Sequence, residues 1–347
     1  MNKKASTVAK ISAFAVIGSL FLFAAGCNKS ETQPAGGRQQ ESAVQQESPA
    51  PNLPEDIRLD YANWSPLSLV LRNQRFLEDE FKKDNVTITW AFSQGSNKSM
   101  EFLLSGSVDF ASSAGMAAMV SFINGNPIKS IYMTNTSEIS LMVPPNSEIK
   151  KIEDLKGKTI SATAGTDPYL FLMRTLDLAN LTLDDINIVN LQHPDGKNEM
   201  LRGRVDAWAS LDPLQSQAEL EGATYLYRNI DFSTHVVLSV RDEFAEKYPE
   251  AVKRVLLAYE KARQWAKENP EEYLALVVKE AKITPEVGKL MLDRIDLDVA
   301  PITDKFITIL IETGNELKKS RIISQNVNLE ETLDKLIDRS YFEELEK

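Results

Sequence analysis

The sequence contains very few of the residues that catalysis and metal binding use. Its 347 residues include one cysteine, Cys27, and two histidines, His193 and His235. A single cysteine excludes an internal disulfide, and neither histidine has a partner at metal-ligand spacing. We also find no nucleophile paired with a general base. We therefore expect no catalysis, no cofactor and no metal, and we place both histidines in turns or at the surface.

Long apolar runs and excess positive charge are also lacking. The one long apolar run, Ile11 to Ala25, has 15 residues, fewer than the about 20 that span a membrane. The formal net charge is −11, and strong acidity argues against nucleic acid as a partner. We expect no membrane-spanning helix and no nucleic-acid binding.

The N-terminus has the pattern of a secretory signal. Lysines precede the apolar run, and Cys27 directly follows the small residues Ala24-Ala25-Gly26. This looks like a bacterial lipobox, although Ala24 stands where that pattern usually has leucine. We expect a signal peptide at 1–26 and a diacylated, palmitate-bearing Cys27. The protein would then be anchored to the cell membrane on its extracytoplasmic side. An incidental cysteine beside an ordinary cleavage site is the alternative.

The segment after the cysteine has almost nothing to bury. Residues 28 to 55 consist mainly of Gln, Ser, Pro, Gly and Glu, a composition typical of disorder. We therefore expect 27–55 to hold the lipidated cysteine and a disordered tether.

The rest of the chain alternates between strand-like and helical patterns, which predicts α/β layers with a mostly parallel sheet. The predicted strands are Ile57–Ala62, Val86–Phe92, Val108–Ser112, Lys129–Met133, Ser140–Val143, Thr159–Thr163, Asn187–Leu191, Val205–Ser210, Thr224–Tyr227 and Val236–Val240. Beyond Pro249 the pattern is helical, at about 249–268, 271–281, 284–294, 303–319 and 329–338.

One internal similarity suggests two lobes of like construction. LLSGSVDFASS at 103–113 and MLRGRVDAWAS at 200–210 both end a helix at glycine, continue with Val-Asp and enter a strand. We expect the chain to cross between the lobes within the segment at 139–160, in which Pro144-Pro145 ends a strand, and again near Thr234–Val237.

These motifs carry a family resemblance over roughly 57 to 325. DYANWSPLSLVL at 60–71, IEDLKGKTI at 152–160, AGTDP at 164–168 and GRVDAWASLDP at 203–213 resemble the solute-binding proteins of bacterial ATP-driven (ABC) importers. The chain is most similar to their aliphatic-sulfonate, taurine and nitrate group, and within it to the sulfonate branch.

The resemblance implies a two-lobed periplasmic-binding-protein-like fold of type II, with the ligand cleft between the lobes. We assign 56–143 and 238–347 to lobe 1, and 144–237 to lobe 2. The implied function is capture of a small aliphatic sulfonate or taurine-like anion for the membrane permease of an importer. We expect a monomer. Nitrate, a thiamine pyrimidine precursor and an enzyme on the same fold are the alternatives.

Ligands of such sheets bind beyond the carboxyl ends of strands, so we take the turn after each strand. The candidate ligand-binding residues are Trp64, Ser65, Gly95, Ser96, Asn97, Ser113, Ala114, Gly115, Gly165, Thr166, Asp167, Trp208 and Asp212.

The sulfonate head is expected between the helix starts at Ser113–Gly115 and Gly165–Asp167, with hydroxyls from Ser113 and Thr166 and without lysine or arginine. Helix N-termini supply free N–H groups and partial positive charge. A plain strand-to-helix connection is the alternative for the second turn. Asp212 is expected either to cap its helix or to meet a ligand amine, and Trp64 either to cover an apolar tail or to pack in the core.

Overall fold

The computed structural model describes residues 52–136, 138–299 and 301–343. The predicted signal peptide, Cys27 and the tether up to residue 51 lie outside the described residues. Residues 52–55 belong to the folded body, because Leu53 packs on the first core, Pro54 is buried, and the Asn52 side chain donates to the Lys247 carbonyl at 2.9 Å. The predicted end of the tether at residue 55 is therefore corrected.

All ten predicted strands are present in the described residues. Their bounds are β1 Asp56–Tyr61, β2 Thr87–Phe92, β3 Phe110–Ala114, β4 Ile128–Asn135, β5 Ile139–Val143, β6 Thr159–Ser161, β7 Asn187–Val189, β8 Ala207–Leu211, β9 Thr224–Arg228 and β10 Val236–Arg241.

The helices alternate with the strands and then dominate the C-terminal part. Their bounds are α1 Pro66–Asn73, α2 Phe76–Phe81, α3 Ser96–Leu104, α4 Gly115–Ile123, α5 Asp167–Leu178, α6 His193–Leu201, α7 Leu214–Leu220, α8 Asp242–Lys247, α9 Pro249–Glu268, α10 Pro270–Ala281, α11 Pro285–Leu292, α12 Asp304–Lys319, α13 Leu329–Leu336 and α14 Ser340–Glu343. Several start at proline, which suits the first helical position because its missing N–H would have no acceptor there.

The strands form two five-stranded sheets, in the orders β2-β1-β3-β10-β4 and β7-β6-β8-β5-β9. This confirms the predicted two-lobed α/β class. We call the first sheet and its helices lobe 1, and the second lobe 2. In each sheet two pairings are parallel and two are antiparallel. Four of the five strands in each sheet therefore run in one direction, which confirms the prediction of mostly parallel sheets. Only β10 and β5, which enter their sheets from the other lobe, run in reverse.

The two sheets repeat one plan, as the internal similarity predicts. In lobe 1 the N–H of Asp109 donates to the Arg58 carbonyl at 2.7 Å, and the Asp109 carboxylate accepts the Arg58 N–H at 3.0 Å. In lobe 2 Asp206 does the same with Thr159, at 2.7 and 2.8 Å. The repeated Val-Asp thus joins a strand to its neighbour by a pair of reciprocal hydrogen bonds.

The lobe boundaries differ from the predicted ones. The chain crosses from lobe 1 to lobe 2 between Asn135 and Ile139, and returns between Arg228 and Val236. Residues 139–143 therefore belong to lobe 2, and 236–237 to lobe 1, contrary to the boundaries at 143 and 237. The apolar runs on either side of a short crossing look alike in sequence, and Pro144-Pro145 ends a strand without changing sheets.

The core of lobe 1 lies between its sheet and helices α1, α9 and α10. The core of lobe 2 lies between its sheet and α5. Strands β3, β5 and β8 are buried along their whole length, as expected for strands covered on both faces. Two clusters cross the lobes. Trp64 packs among the apolar residues of lobe 2, and Leu170 among those of lobe 1. The lobes are therefore in contact.

No helix in the described part of the chain combines the length and the apolar character needed to cross a bilayer.

Candidate functional site

Two adjoining cavities lie between the lobes, where the turns after the strands meet. The inner cavity has a volume of about 20 Å³, close to the space that one water-sized sphere needs. The outer cavity has a volume of about 110 Å³. Trp64, His193 and Leu211 line both. The two cavities are thus parts of one cleft that is nearly closed.

Trp64 reaches this cleft from the turn after β1. Its side chain is 8% exposed, and its indole Nε1–H has no hydrogen-bond partner. The neighbouring Ser65 is fully buried, and its hydroxyl is also unpartnered and makes no capping bond to α1. Since buried donors are nearly always paired, the indole N–H is a candidate contact for a ligand.

The turn after β2 brings Ser96 to the inner cavity. The Ser96 hydroxyl oxygen accepts the Ala114 N–H at 2.9 Å, so its own proton can still be donated to a ligand. Gly95 lies where lobe 2 approaches this turn closely. A Cβ on Gly95 would lie 3.3 Å from the His193 ring. The Asn97 Oδ1 atom is buried without a partner.

The N–H groups of the predicted anion pocket at Ser113–Gly115 are already used in hydrogen bonds within the protein. The Gly115 N–H bonds to the Thr234 and His235 carbonyls, and the Met116 N–H bonds to Thr234 Oγ1 at 3.0 Å. The segment before β10 thus uses these donors at the start of α4.

The three residues of that pocket have different surroundings. Ala114 lines the inner cavity, whereas the Ser113 hydroxyl donates to the Ala114 carbonyl at 3.2 Å. A Cβ on Gly115 would lie 2.7 Å from the Phe306 ring, so the glycine serves packing. The prediction that Ser113 supplies a ligand hydroxyl is corrected.

The turn after β6 has the predicted shape but not the predicted donor. Gly165 is exposed with φ +75°, a conformation that favours glycine. Thr166 lines the inner cavity, but its hydroxyl donates to the Thr163 carbonyl at 2.6 Å. The Thr166 hydroxyl proton is therefore used within its own turn.

Asp167, the first residue of α5, faces the crossing segment. Its carboxylate accepts the Thr234 N–H at 2.8 Å, the Thr234 hydroxyl at 2.6 Å and the Ser233 hydroxyl at 3.2 Å. Burial raises the pKa of Asp167 above the ordinary value, and these hydrogen bonds oppose the shift. Thr234 thereby joins the start of α4 in lobe 1 to the start of α5 in lobe 2.

Asp212 lines the outer cavity but is already paired. Its carboxylate accepts the Ser216 N–H at 3.0 Å, as the capping interpretation predicts, and forms an ion pair with Arg294 at 3.2 Å. Burial raises the pKa of Asp212, while Arg294 opposes the shift. The carboxylate is therefore not free for a ligand amine in this conformation.

Trp208 belongs to the core of lobe 2 and lines neither cavity. It is 1% exposed, and a Cβ on Gly196 would lie 2.9 Å from its ring. The sequence pattern Val-Asp-Ala-Trp thus marks a packing residue, and the prediction of a ligand contact at Trp208 is corrected.

His193, the first residue of α6, is the main residue that sequence reasoning missed. It is 1% exposed and lines both cavities, rather than lying at the surface. Burial lowers its pKa to about 3, so it is neutral at pH 7. His235 lies in the irregular connection before β10, where it is half-buried and lines the inner cavity. The turn after β7 obeys the same strand-end rule, which would have selected His193.

No lysine or arginine lines either cavity in the part of the chain that the structure describes. The same residues contain no cluster of His, Cys, Asp and Glu that could hold a metal ion. The site instead offers the Trp64 N–H, the Ser96 hydroxyl and the starts of α3, α5 and α6, whose first N–H groups have no acceptor within the helix. It is suited to hold a small polar ligand by hydrogen bonds.

Comparison with protein families gives one match to more than half of the chain. The model described as NMT1/THI5 like matches residues 81–273, which include the turns after β2, β3, β6, β7 and β8.

Two curated bacterial proteins are similar over most of their length. Both are named as candidate aliphatic sulfonates-binding proteins. The one from Bacillus subtilis (strain 168) is 25% identical, over 81% of this chain and 86% of its own length. The one from Escherichia coli (strain K12) is 23% identical, over 82% of this chain and 90% of its own length.

Solved structures share the fold. The alkanesulfonate-binding protein of Xanthomonas axonopodis pv. citri, bound to MOPS, aligns with a TM-score of 0.75 at 22% identity, covering 83% of this chain and 99% of that one. The desulfurization enzyme DSZB aligns with a TM-score of 0.63 at 14% identity, covering 84% and 98%. At these identities the likeness concerns the fold, which therefore occurs in both a binding protein and an enzyme.

Proposed function

The chain belongs to the NMT1/THI5-like family, and from this premise we propose that it is the substrate-binding component of an ABC importer for small aliphatic sulfonates. It captures the sulfonate between its lobes and delivers it to the transmembrane subunits of the permease. The names of the two curated relatives support this ligand class over nitrate or a thiamine pyrimidine precursor.

One observation carries the proposal: Trp64, whose buried indole N–H has no hydrogen-bond partner, lines both cavities of the cleft between the two lobes. A sulfonate has three acceptor oxygens and stays ionised at physiological pH, so it needs donors and no general base. The Trp64 N–H, the Ser96 hydroxyl and the helix starts of α3 and α5 are suitable donors. The outer cavity, bordered by Phe92, Ala281 and Ile283, suits an aliphatic tail.

The proposed role is binding rather than catalysis. The carboxylates nearest the cleft are engaged by Thr234 or Arg294, and both curated relatives carry the names of binding proteins. The shared fold with DSZB is the reason to test turnover directly, by following sulfite release from each sulfonate that binds.

The calorimetric affinity of a Trp64→Phe variant tests the site. Phenylalanine keeps an aromatic ring and removes the N–H. A hydrogen bond to a charged group contributes about 1.5–3 kcal/mol, so affinity should fall roughly ten- to hundredfold.

Trp208→Phe is the matched control, because Trp208 is a buried tryptophan that lines neither cavity. It should lose stability and keep wild-type affinity. Equal affinity of wild type and Trp64→Phe would place the sulfonate elsewhere. Failure of every alkanesulfonate to bind would reject the function.

We further propose that Cys27 carries the lipid anchor after removal of residues 1–26, so that a monomeric binding body faces the extracytoplasmic side. Two acyl chains suffice for stable attachment where one is marginal. Cys27→Ala should move the protein from the membrane fraction to the soluble fraction. Unchanged fractionation would argue against the anchor.

A further inference from the structure

Asp60 lies near the carboxyl end of β1, which is paired with the parallel strands β2 and β3 on either side. Its carboxylate is buried and accepts three hydrogen bonds, from the Ser93 hydroxyl at 2.7 Å, the Ser99 hydroxyl at 2.9 Å and the Ser112 N–H at 2.8 Å. The three donors belong to the turn after β2, to α3 and to β3. One carboxylate therefore holds three segments of lobe 1 together.

Each of these segments brings a residue to the cleft. Ser93 itself lines the outer cavity. Helix α3 begins at Ser96 and β3 ends at Ala114, and both residues line the inner cavity. The Ser96 hydroxyl accepts the Ala114 N–H at 2.9 Å, so the positions of these two residues are linked. Asp60 lines neither cavity, so it is placed to orient the cleft residues without touching a ligand.

The arrangement of donors around Asp60 fits an ionised carboxylate. A carboxylate has only acceptors, whereas a protonated carboxyl group or an asparagine amide also donates. A proton added here either displaces one of the three donors or is left without an acceptor. Tyr259 of α9 faces Asp60, and burial raises the pKa of this tyrosine, which stays neutral at physiological pH. The groups that hold the Asp60 charge are therefore all neutral.

Keeping this charge costs stability. Burial raises the pKa of Asp60 to about 6, against the opposing effect of its hydrogen bonds, so the carboxylate is ionised at pH 7 at the expense of its hydration. An uncharged side chain of the same size would avoid that cost. Groups with strongly shifted pKa values occur preferentially at functional sites, and Asp60 is bonded to three segments that form one.

We propose that Asp60 is a positioning residue for the ligand, whose carboxylate holds Ser93, Ser96 and Ala114 in the arrangement that binds the sulfonate. The inference rests on the proposed function. It adds that affinity depends on the ionisation of a group that does not touch the ligand, so acidification weakens binding.

Calorimetry on the full chain with ethane-, propane- and butane-1-sulfonate tests this. The readout is the ratio of the wild-type affinity to that of Asp60→Asn, which keeps the size and removes the charge. At pH 8 the wild type should bind about tenfold more tightly, the loss expected when one hydrogen bond to a charged group is given up.

The pH dependence of this ratio separates the charge from the shape of Asp60. At pH 5, below the pKa of about 6, the wild-type residue is largely protonated, and the ratio should fall several-fold toward one. The ratio isolates Asp60, because both proteins keep the other titratable residues of the cavities, which are Asp167, His193, Asp212 and His235.

Asp109→Asn is the matched control. Asp109 is as buried as Asp60 and also joins β1 to β3, but toward the amino ends of these strands, where it pairs with Arg58 at 2.6 Å. This variant should lose stability and keep wild-type affinity at both pH values. If Asp60→Asn does not fold, Ser99→Ala decides, because it removes one hydrogen bond to Asp60 from outside the cavities. It should weaken binding, though less than tenfold.

Four results would overturn the inference. A ratio that is the same at pH 8 and pH 5 would exclude a role for the charge. Tighter binding by Asp60→Asn at pH 8 would mean that the carboxylate only repels the anion. An equal loss of affinity in Asp109→Asn would mean that affinity merely follows the stability of lobe 1. These three leave the proposed function standing, whereas failure of the wild type to bind any of the sulfonates would reject the function and the inference together.

Discussion

Asp60 is a buried carboxylate that accepts a hydrogen bond from Ser93, a residue that lines the outer cavity. It accepts the Ser93 hydroxyl at 2.7 Å, the Ser99 hydroxyl at 2.9 Å and the Ser112 N–H at 2.8 Å. Asp60 thereby ties the turn that carries Gly95 and Ser96 to α3 and β3. Burial raises its pKa to about 6, and the hydrogen bonds oppose this shift.

The raised pKa predicts that Asp60 makes the protein less stable as the pH rises. An unfolded aspartate has a pKa of about 3.9, so between about pH 4 and 6 the folded state binds more protons than the unfolded one. The free energy of unfolding should therefore fall across this window, by about 3 kcal/mol in total. Urea unfolding at pH 4 and pH 7 should show that Asp60→Asn removes this loss.

The pH dependence of the free energy of unfolding must be compared between the wild type and the variants, because the titration of His193 changes this free energy in the opposite direction. Its folded pKa of about 3 lies below the unfolded value, so its contribution to stability rises with pH over the same range. Asp184→Asn, at an exposed carboxylate, is the control and should follow the wild type. A pH dependence of Asp60→Asn that matches the wild type would refute the assignment.

Single residues also show where sequence reasoning ends. The pattern selects Trp64, Ser96 and Thr166, which all line the inner cavity, and their contact with a ligand stays a prediction. It cannot show that Asp167 bonds to Thr234 or that Asp212 pairs with Arg294, because these partners come from distant parts of the chain. The Thr163 hydroxyl oxygen likewise lies 3.2 Å from His193 Nδ1, a contact that no local pattern predicts.

Local sequence patterns predict the strands and helices better than they predict the contacts of single side chains. The ten strands and five C-terminal helices follow from periodicity and from helix starts at proline or threonine. The internal similarity correctly pairs α3–β3 with α6–β8, because the repeated aspartate makes the same bonds in both. What α4 does with its first N–H groups was not predictable, since Thr234 and His235 occupy them from the other end of the fold.

The loop after α11 forms a buried charged contact between the lobes. Arg294 bonds to Asp212 and to Glu219 of lobe 2, and both members of the Arg294–Asp212 pair have side chains less than 10% exposed. Helix α11 packs on α10, which packs on α1 of lobe 1. Arg294 therefore links the helical layer of lobe 1 to lobe 2 beside the outer cavity.

Removing this charge should destabilise the protein strongly. Arg294→Met leaves the buried Asp212 carboxylate without a charged partner, with only its hydrogen bonds from Ser216, which costs about 3–5 kcal/mol. Urea unfolding at pH 7 measures the loss. Lys289→Met is the control on the same helix, because the Lys289–Asp293 pair is exposed and should contribute less than about 1 kcal/mol. Similar losses for the two variants would contradict the role given to Arg294.

For the whole molecule, the structure has the lobes closed on each other. Trp64 lies in the apolar core of lobe 2, Leu170 packs on lobe 1, and the inner cavity is about 20 Å³. The inner cavity has room for about one water molecule, so a sulfonate can bind there only if the lobes separate. In such a hinge motion the lobes would rotate about the two crossings. These crossings lie between Asn135 and Ile139 and between Arg228 and Val236.

The two-lobed α/β class was predictable because a chain of alternating strands and helices can bury its apolar faces in only a few layered arrangements. The position of each crossing was not, since membership of a sheet depends on pairing between strands far apart in sequence. Strand β5 illustrates this, because it follows β4 after a short connection yet pairs with β8 and β9.

The most direct test of sulfonate binding between the lobes is the distance between the lobes. Electron–electron double resonance can measure this distance with and without a sulfonate that binds. Cys27→Ala removes the only cysteine, so spin labels can be placed at Leu104→Cys in lobe 1 and Leu220→Cys in lobe 2. Both side chains are exposed and apolar. Without ligand, we expect a broad distribution that includes open forms. Saturating sulfonate should collapse it to the single separation of the closed structure. An unchanged distribution, with calorimetry showing that the sulfonate is bound, would contradict binding between the lobes.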